Sequence, residues 1–307
     1  MRLSLWLYLV LWTGWVSAVD DSTLSVAGST ITIAMPDSAT QAQRQKIERW
    51  IHHAAESAVA LYGRLPVEAF SVHISFAHRS WEPVPWGQVT RSRIPRVTFH
   101  IDPRFPLSRF KADWTAVHEF SHLFLPYPGG RGIWFSEGLA SYYQNVLMAR
   151  AGTHSPERAW KKLYAGFRRG RADSSMAHLS LRRVSPLMWR TGSYMRVYWS
   201  GAAYFLSVDV ALRTRPDNPS SLDQALERFR SCCMEKRRHW STRALIRELD
   251  RQVGGDVFWS HYQVAISSKT VPDIAVASAQ LGIEEKGTRL RFNESGARLR
   301  RGIMTPQ

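Results

Sequence analysis

Residues 114–143 read WTAVHEFSHLFLPYPGGRGIWFSEGLASYY, the most informative run in the chain. On a helix His118 and His122 fall on one face, about 6 Å apart along the axis. Two imidazoles so placed can take adjacent corners of a zinc tetrahedron. Glu119 is turned off that face. It can stand beside the metal without binding it, where a general base takes a proton from water. The helix, expected over residues 108–125, ends at Pro126, whose ring forbids continuation. After a connection at Tyr127–Gly132, a second helix runs from about Phe135 to Arg150 and stops near Gly152. Glu137 on that helix supplies a third ligand and leaves a fourth position open, the pattern of a catalytic zinc site. Ser141, four residues further on the same face, is a candidate hydrogen-bond partner for a ligating histidine. The plainer alternative is two histidines on an amphipathic helix that holds no metal.

Upstream of this run, Thr30–Met35 and Phe70–Ala77 alternate as strands, and Val97–Ile101 reads as another. Residues 88–93 read as an edge strand after the loop Trp81–Gly87. Between the first two lies a long amphipathic helix, roughly 40–62, with Ile47, Trp50, Ile51, Ala54, Ala58 and Leu61 at helical spacing. Downstream the chain is mostly helical. Ser155-Pro156-Glu157 opens one helix with a cap residue and a proline in its first turn. Others are expected over 194–212, 221–230 and 242–253, with a short one around Phe258, Trp259 and Tyr262. Residues 284–307 are polar and basic without apolar periodicity, and are expected to form a weakly ordered tail.

HEFSH at 118–122, WFSEGLASYYQNVLMARAG from Trp134 and YWSGAAYFLSVDVALR over 198–213 resemble the catalytic domain of the glycyl aminopeptidase family. These are gluzincin zinc metallopeptidases related to thermolysin and the alanyl aminopeptidases. The likeness runs from about Ile31 to Leu281 and is most specific between His118 and Arg150. It implies a thermolysin-like α+β fold, with a small mixed sheet subdomain (19–107) followed by a mostly helical catalytic subdomain (108–283). It also implies one zinc held by His118, His122 and Glu137, with Glu119 as base. Tyr198, at the Tyr-x-x-Gly position, is implied as the phenol that steadies the oxyanion; Tyr194, one turn earlier, competes for that role. Two features depart from the family: a shorter interval from His122 to Glu137, and no room downstream for the PDZ domain many members carry. In the alanyl aminopeptidases a carboxylate that holds the substrate's free amine follows a glycine on the edge strand. The matching stretch is Trp86-Gly87-Gln88-Val89-Thr90-Arg91. It makes Gly87 and Gln88 substrate-binding candidates but contains no acid, and Arg91 would repel an ammonium. Glu82, six residues upstream, is the one nearby acid able to fold back into the role.

Lys and Arg total 41 against 25 acidic residues, a net charge of +16. Such a field favours anionic partners, including envelope or cell-wall surfaces. No nucleic-acid-binding motif accompanies it, so nucleic acid is not an expected partner. With 44% hydrophobic residues the chain reads as a folded globule. Its two cysteines, Cys232 and Cys233, are adjacent and cannot staple distant segments. Residues 1–18 read as a cleaved export signal: Arg2, an apolar run over Leu3–Trp15, then Val16-Ser17-Ala18. No later stretch is apolar enough to span a bilayer. The expectation is an exported metallopeptidase, periplasmic or secreted and not integral to the membrane, that acts on peptides or proteins. The alternatives are a catalytically weak envelope or cell-wall binder and a zinc hydrolase of a non-peptide bond. Amino-terminal sequencing should find the mature protein starting near Val19; an intact Met1 terminus in the membrane fraction would instead indicate an anchor.

Overall fold

Alternating apolar residues build the first half of the protein, a computed structural model of which describes residues 21–306 except 236 and 237. The expected export signal, 1–18, lies outside the described residues. Ile31 and Ile33 on β2 (Ser29–Ala34), Phe70, Val72 and Ile74 on β3 (Ala69–Phe76) and Val97, Phe99 and Ile101 on β5 (Arg96–Ile101) are all buried. The register sets Ile31 beside Phe70, Val72 beside Val97 and Ile74 beside Phe99, so these residues share one face. β1 (Ser22–Val26) pairs antiparallel with β2, and β4 (Trp86–Thr90) pairs antiparallel with β5, in the order β1-β2-β3-β5-β4. β4 is therefore an edge strand. It begins two residues earlier than its sequence pattern suggests, and β1 has no counterpart in the sequence reading.

Helix α1 (Gln41–Val59) crosses between β2 and β3 and opens with a reciprocal capping box between Thr40 and Gln43. Its Trp50 packs on Phe99, with ring centroids 5.1 Å apart. The expected helix over 108–125 is divided into α2 (Leu107–Ala112), α3 (Thr115–Ser121) and a 3₁₀ turn over His122–Phe124. The break falls at Asp113, whose backbone is extended and whose carboxylate accepts from the Thr115 amide at 2.8 Å. A short acidic side chain that bonds the backbone directly competes with helix continuation and starts a new one. Phe120 on α3 then meets Phe70 at 5.1 Å, which seats the histidine-bearing helix on the sheet.

Helix α4 (Ile133–Arg150) is buried on nearly every side, as a central helix must be when others surround it. Against it pack α5 (Pro156–Ala172) and α8 (Tyr194–Arg213), with the short α6 (Leu181–Val184) and α7 (Met188–Thr191) between them in the chain. Next come α9 (Leu222–Cys233), α10 (Thr242–Val253), α11 (Val257–Ser267) and α12 (Ala275–Gln280). Where α4 crosses α8, a Cβ on Gly138 would lie 2.3 Å from the Gly201 Cα, and one on Gly201 would lie 2.1 Å from the Trp134 carbonyl oxygen. Cys232 and Cys233 are bonded to each other, which joins no distant segments. Among the described residues no helix is long and apolar enough to cross a membrane.

The weakly ordered tail is a correction. Residues 283–304 form a hairpin, β6 (Ile283–Lys286) and β7 (Arg289–Phe292), then α13 (Ala297–Met304). Ile303 and Met304 are fully buried. Arg150 Nε donates to the Ile303 carbonyl at 2.9 Å and Arg213 Nη1 to that of Gly302 at 3.0 Å, so the last turn of α13 is capped by two cations. Those same arginines bond Asp223 at 2.8 and 2.9 Å, and Glu285 on β6 is gripped by Arg168 and Arg171. These partners are distant in sequence, so apolar periodicity within the tail carries no trace of them.

The α4–α8 crossing yields a stability prediction. In an exposed helix, Gly→Ala stabilises by about 1 kcal/mol; at Gly201 the clash should reverse the sign. Gly201→Ala is expected to destabilise by about 1–3 kcal/mol, read as a lowered midpoint in urea. A neutral or stabilised variant would show that the helices do not meet there.

Candidate active site

His118 and His122 project from the junction of α3 and the 3₁₀ turn, and Glu137 from the first turns of α4. The Glu137 Oε2 lies 3.2 Å from His118 Nε2 and 3.5 Å from His122 Nε2. The edge of a tetrahedron with metal–ligand arms of about 2.0–2.1 Å is about 3.3–3.4 Å. The spacing and the nitrogen–oxygen donor set therefore fit one zinc ion. The other ring nitrogens are occupied: His118 Nδ1 lies 2.7 Å from Gln144 Oε1 and His122 Nδ1 lies 3.1 Å from Ser136 Oγ. Such bonds fix ring orientation and leave both Nε2 atoms turned to the common point. Ser141 does not take the part expected of it: its hydroxyl is buried with no hydrogen-bond partner. Gln144 and Ser136 hold the rings instead. Their spacing, one position before Glu137 and two turns after it, is a pattern that becomes a signal only once the α3–α4 angle is known.

Burial works against a charged His118, but the bond to Glu137 and the nearby charge of Glu119 outweigh it, and its pKa is raised. Burial likewise opposes the Glu137 carboxylate, yet the two imidazoles hold it well below the usual carboxylate range. The donor atoms of the three groups all lie within 4.8 Å of one another. Glu119 stands beside them without a hydrogen bond to any described residue. Burial pushes its carboxyl up, and the two histidines pull it back only in part.

The cleft, about 630 Å³, is walled by β4 from Trp86 to Thr90 with Arg91, and by Tyr127, Trp189 and Tyr198. Gly87 is forced by the site: a Cβ there would fall 2.8 Å from Glu119 Cγ and 3.0 Å from the Thr115 methyl. Gln88 lines the cleft as well. Tyr198 stacks on His118 at 6.0 Å with the rings 15° from parallel. Burial, then the charges of Glu137 and Glu119, raise its pKa well above the ordinary value, so the phenol stays a donor. Tyr194 instead packs edge-on against Trp189 at 5.4 Å. Glu82 is exposed and is not among the residues lining the cleft. Among the described residues Glu119 and Glu137 are the acids that line it.

A mixed five-stranded sheet followed by helices, with His-Glu-x-x-His on one helix and a glutamate on the next, defines the fold of the gluzincin zinc metallopeptidases. Residues 128–203 match the model of the M61 glycyl aminopeptidases, and solved peptidase structures share the fold. An aminopeptidase N family protein from Idiomarina loihiensis superposes with a TM-score of 0.62 at 16% identity, over 86% of this chain and 49% of that one. An M1 zinc metallopeptidase from Deinococcus radiodurans, in a variant bound to a Tyr-Ser-Ala substrate, does so at 0.50 and 16% identity, over 82% of this chain and 52% of that one. This chain thus spans about half the length of those relatives. No curated protein matches the chain in sequence.

Purified protein is expected to bind one zinc per chain, lost in His118→Ala, His122→Ala and Glu137→Ala and largely kept in Glu119→Gln. Because the raised His118 must lose its proton to ligate, affinity should fall as pH falls, with net proton release on binding. Elemental analysis and calorimetry in two buffers check this; stoichiometric zinc in all three ligand variants would refute the site.

Proposed function

We propose that the protein is an exported zinc-dependent peptidase that hydrolyses peptide bonds in the cleft beneath β4. The observation that carries this reading is the meeting, in one cleft, of a three-donor metal site, a buried carboxylate without a partner and a protonated phenol. Bound zinc would supply Lewis acidity, bringing the pKa of a coordinated water to about 7. Glu119, close to the metal site but outside its donor set, takes the proton from the attacking water and returns it to the leaving amine. Its raised pKa suits both transfers. Tyr198 donates a hydrogen bond to the oxyanion as it forms, an interaction strongest in the transition state. Gly87 lets the edge strand approach Glu119 closely enough for a substrate backbone beside β4 to reach the reacting centre. A binder of envelope material has no use for an unpaired buried carboxylate such as Glu119, which is costly to keep. Export rests on the leader-like residues 1–18 alone.

The cleft also bears on where substrates are cut. A substrate ammonium bound there would find no acid other than those committed to zinc and proton transfer, and it would face Arg91. Burying an ammonium without a counter-charge is unfavourable. Amino-terminally blocked peptides are therefore expected to be hydrolysed at least as well as free ones. On a blocked peptide library, Glu119→Gln should lower kcat by about 10²–10⁴-fold, and Tyr198→Phe by about 10–10³-fold with zinc retained. Strict dependence on a free α-amine, abolished by Glu82→Gln, would overturn the blocked-peptide reading; full activity in Glu119→Gln would overturn the mechanism.

A further inference from the structure

Arg91 follows the last residue of the edge strand and lines the cleft beside Glu119, His122 and Glu137. Its guanidinium stands over the Tyr127 ring, 5.2 Å from the centroid, and its Nη2 donates to the His122 carbonyl at 2.6 Å. That bond uses one of five N–H donors in a rigid planar fork. Among the described residues no carboxylate forms an ion pair with Arg91. Glu137 and Glu119 act on it only through space, and burial lowers its pKa to about 10, so it remains charged near neutrality. Those two carboxylates are not free to balance it. Glu137 belongs to the metal site and Glu119 to proton transfer. With a dication between them, the positive charges of metal and guanidinium exceed the two negative ones. The remaining described wall of the cleft, including Gln88, Thr90, Ser136 and Trp189, adds no acid.

From this geometry we infer that Arg91 recognises a carboxylate of the substrate, so that the cleft selects acidic peptides. This deepens the peptidase reading and rests on it. A carboxylate fits the planar fork bidentately, and an arginine braced by an aromatic face and a carbonyl loses little freedom on binding it. The carboxylate can come from an acidic side chain close to the scissile bond or from the peptide's own carboxyl terminus. Arg91 bonds the backbone of a zinc-site residue, which keeps either source within a residue or two of the reacting carbonyl.

The test uses zinc-loaded, full-chain protein and amino-blocked peptides matched except for Glu against Gln near the cut, each with a free or amidated carboxyl terminus. Wild type is expected to favour the carboxylate-bearing member by about 10- to 100-fold in kcat/KM, mostly through KM. Arg91→Gln should bring that ratio to near one, and Arg91→Lys should keep part of it, because charge remains while the fork is lost. Preference tied to the internal Glu or to the free terminus identifies the source, and either supports the inference. A merely structural Arg91 would lower rate and zinc content for all peptides alike and leave the ratio unchanged; that result overturns it, as does a wild-type preference for the neutral members. Calorimetric binding of the same peptides to zinc-loaded Glu119→Gln reads the inference without turnover. If wild type cleaves no peptide, the peptidase reading fails by itself. Tighter binding of carboxylate-bearing peptides, lost with Arg91→Gln in that background, would still sustain the assignment, and equal binding would end it.

Discussion

The near-contact of Gly138 on α4 with Gly201 on α8 sets the geometry on which the cleft depends. Side chains on either glycine would push the helices apart, because the atoms they would strike are backbone. Backbone cannot rotate out of the way as a side-chain tip can. Each glycine also belongs to a motif: Gly138 follows Glu137, and Gly201 lies three residues after Tyr198. Close approach at that point brings the Glu137 carboxylate and the Tyr198 phenol to the same cleft from different helices. The glycines act as spacers for chemistry carried by their neighbours.

A second close approach acts from the sheet side. Gly87 on β4 lets the edge strand press against Glu119 and Thr115 of α3. The Glu119 carboxylate is therefore held against a strand, with no hydrogen-bond partner among the described residues. Its burial raises its pKa, while the histidines keep that rise in check. The same desolvated setting makes the charge balance unforgiving. Arg91 lines this cleft, and among the described residues Glu119 and Glu137 are the acids it faces there.

The helical half is tied together at the opposite end of α4 by buried polar groups. Tyr142 and Tyr143 bond Asp209 and Asp223, which also receive Arg213; Arg150 reaches Asp223 and the α13 carbonyl. Each member is hydrogen-bonded, as buried charges require. This network anchors the last helix to the one that carries Glu137, and it explains why a polar, basic segment is well seated.

The sequence alone determined the parts governed by local periodicity and spacing. His118, Glu119 and His122 were legible because helical pitch dictates which of them share a face, and Glu137 because it follows on the next expected helix. The strands and long helices were legible from their two- and 3.6-residue periods. Tyr198 emerged from a family likeness, and only the α4–α8 crossing placed it, and not Tyr194, against His118. The break at Asp113, the roles of Ser136 and Gln144, the idle Ser141 and the ordered α13 depend on groups far apart in sequence or on the angle between two helices. Pattern along one segment holds no information about such distances. Tertiary structure alone decided that Gly87 and Gly201 are needed for close approach and that Arg91 faces the cleft, because each depends on what packing brings opposite.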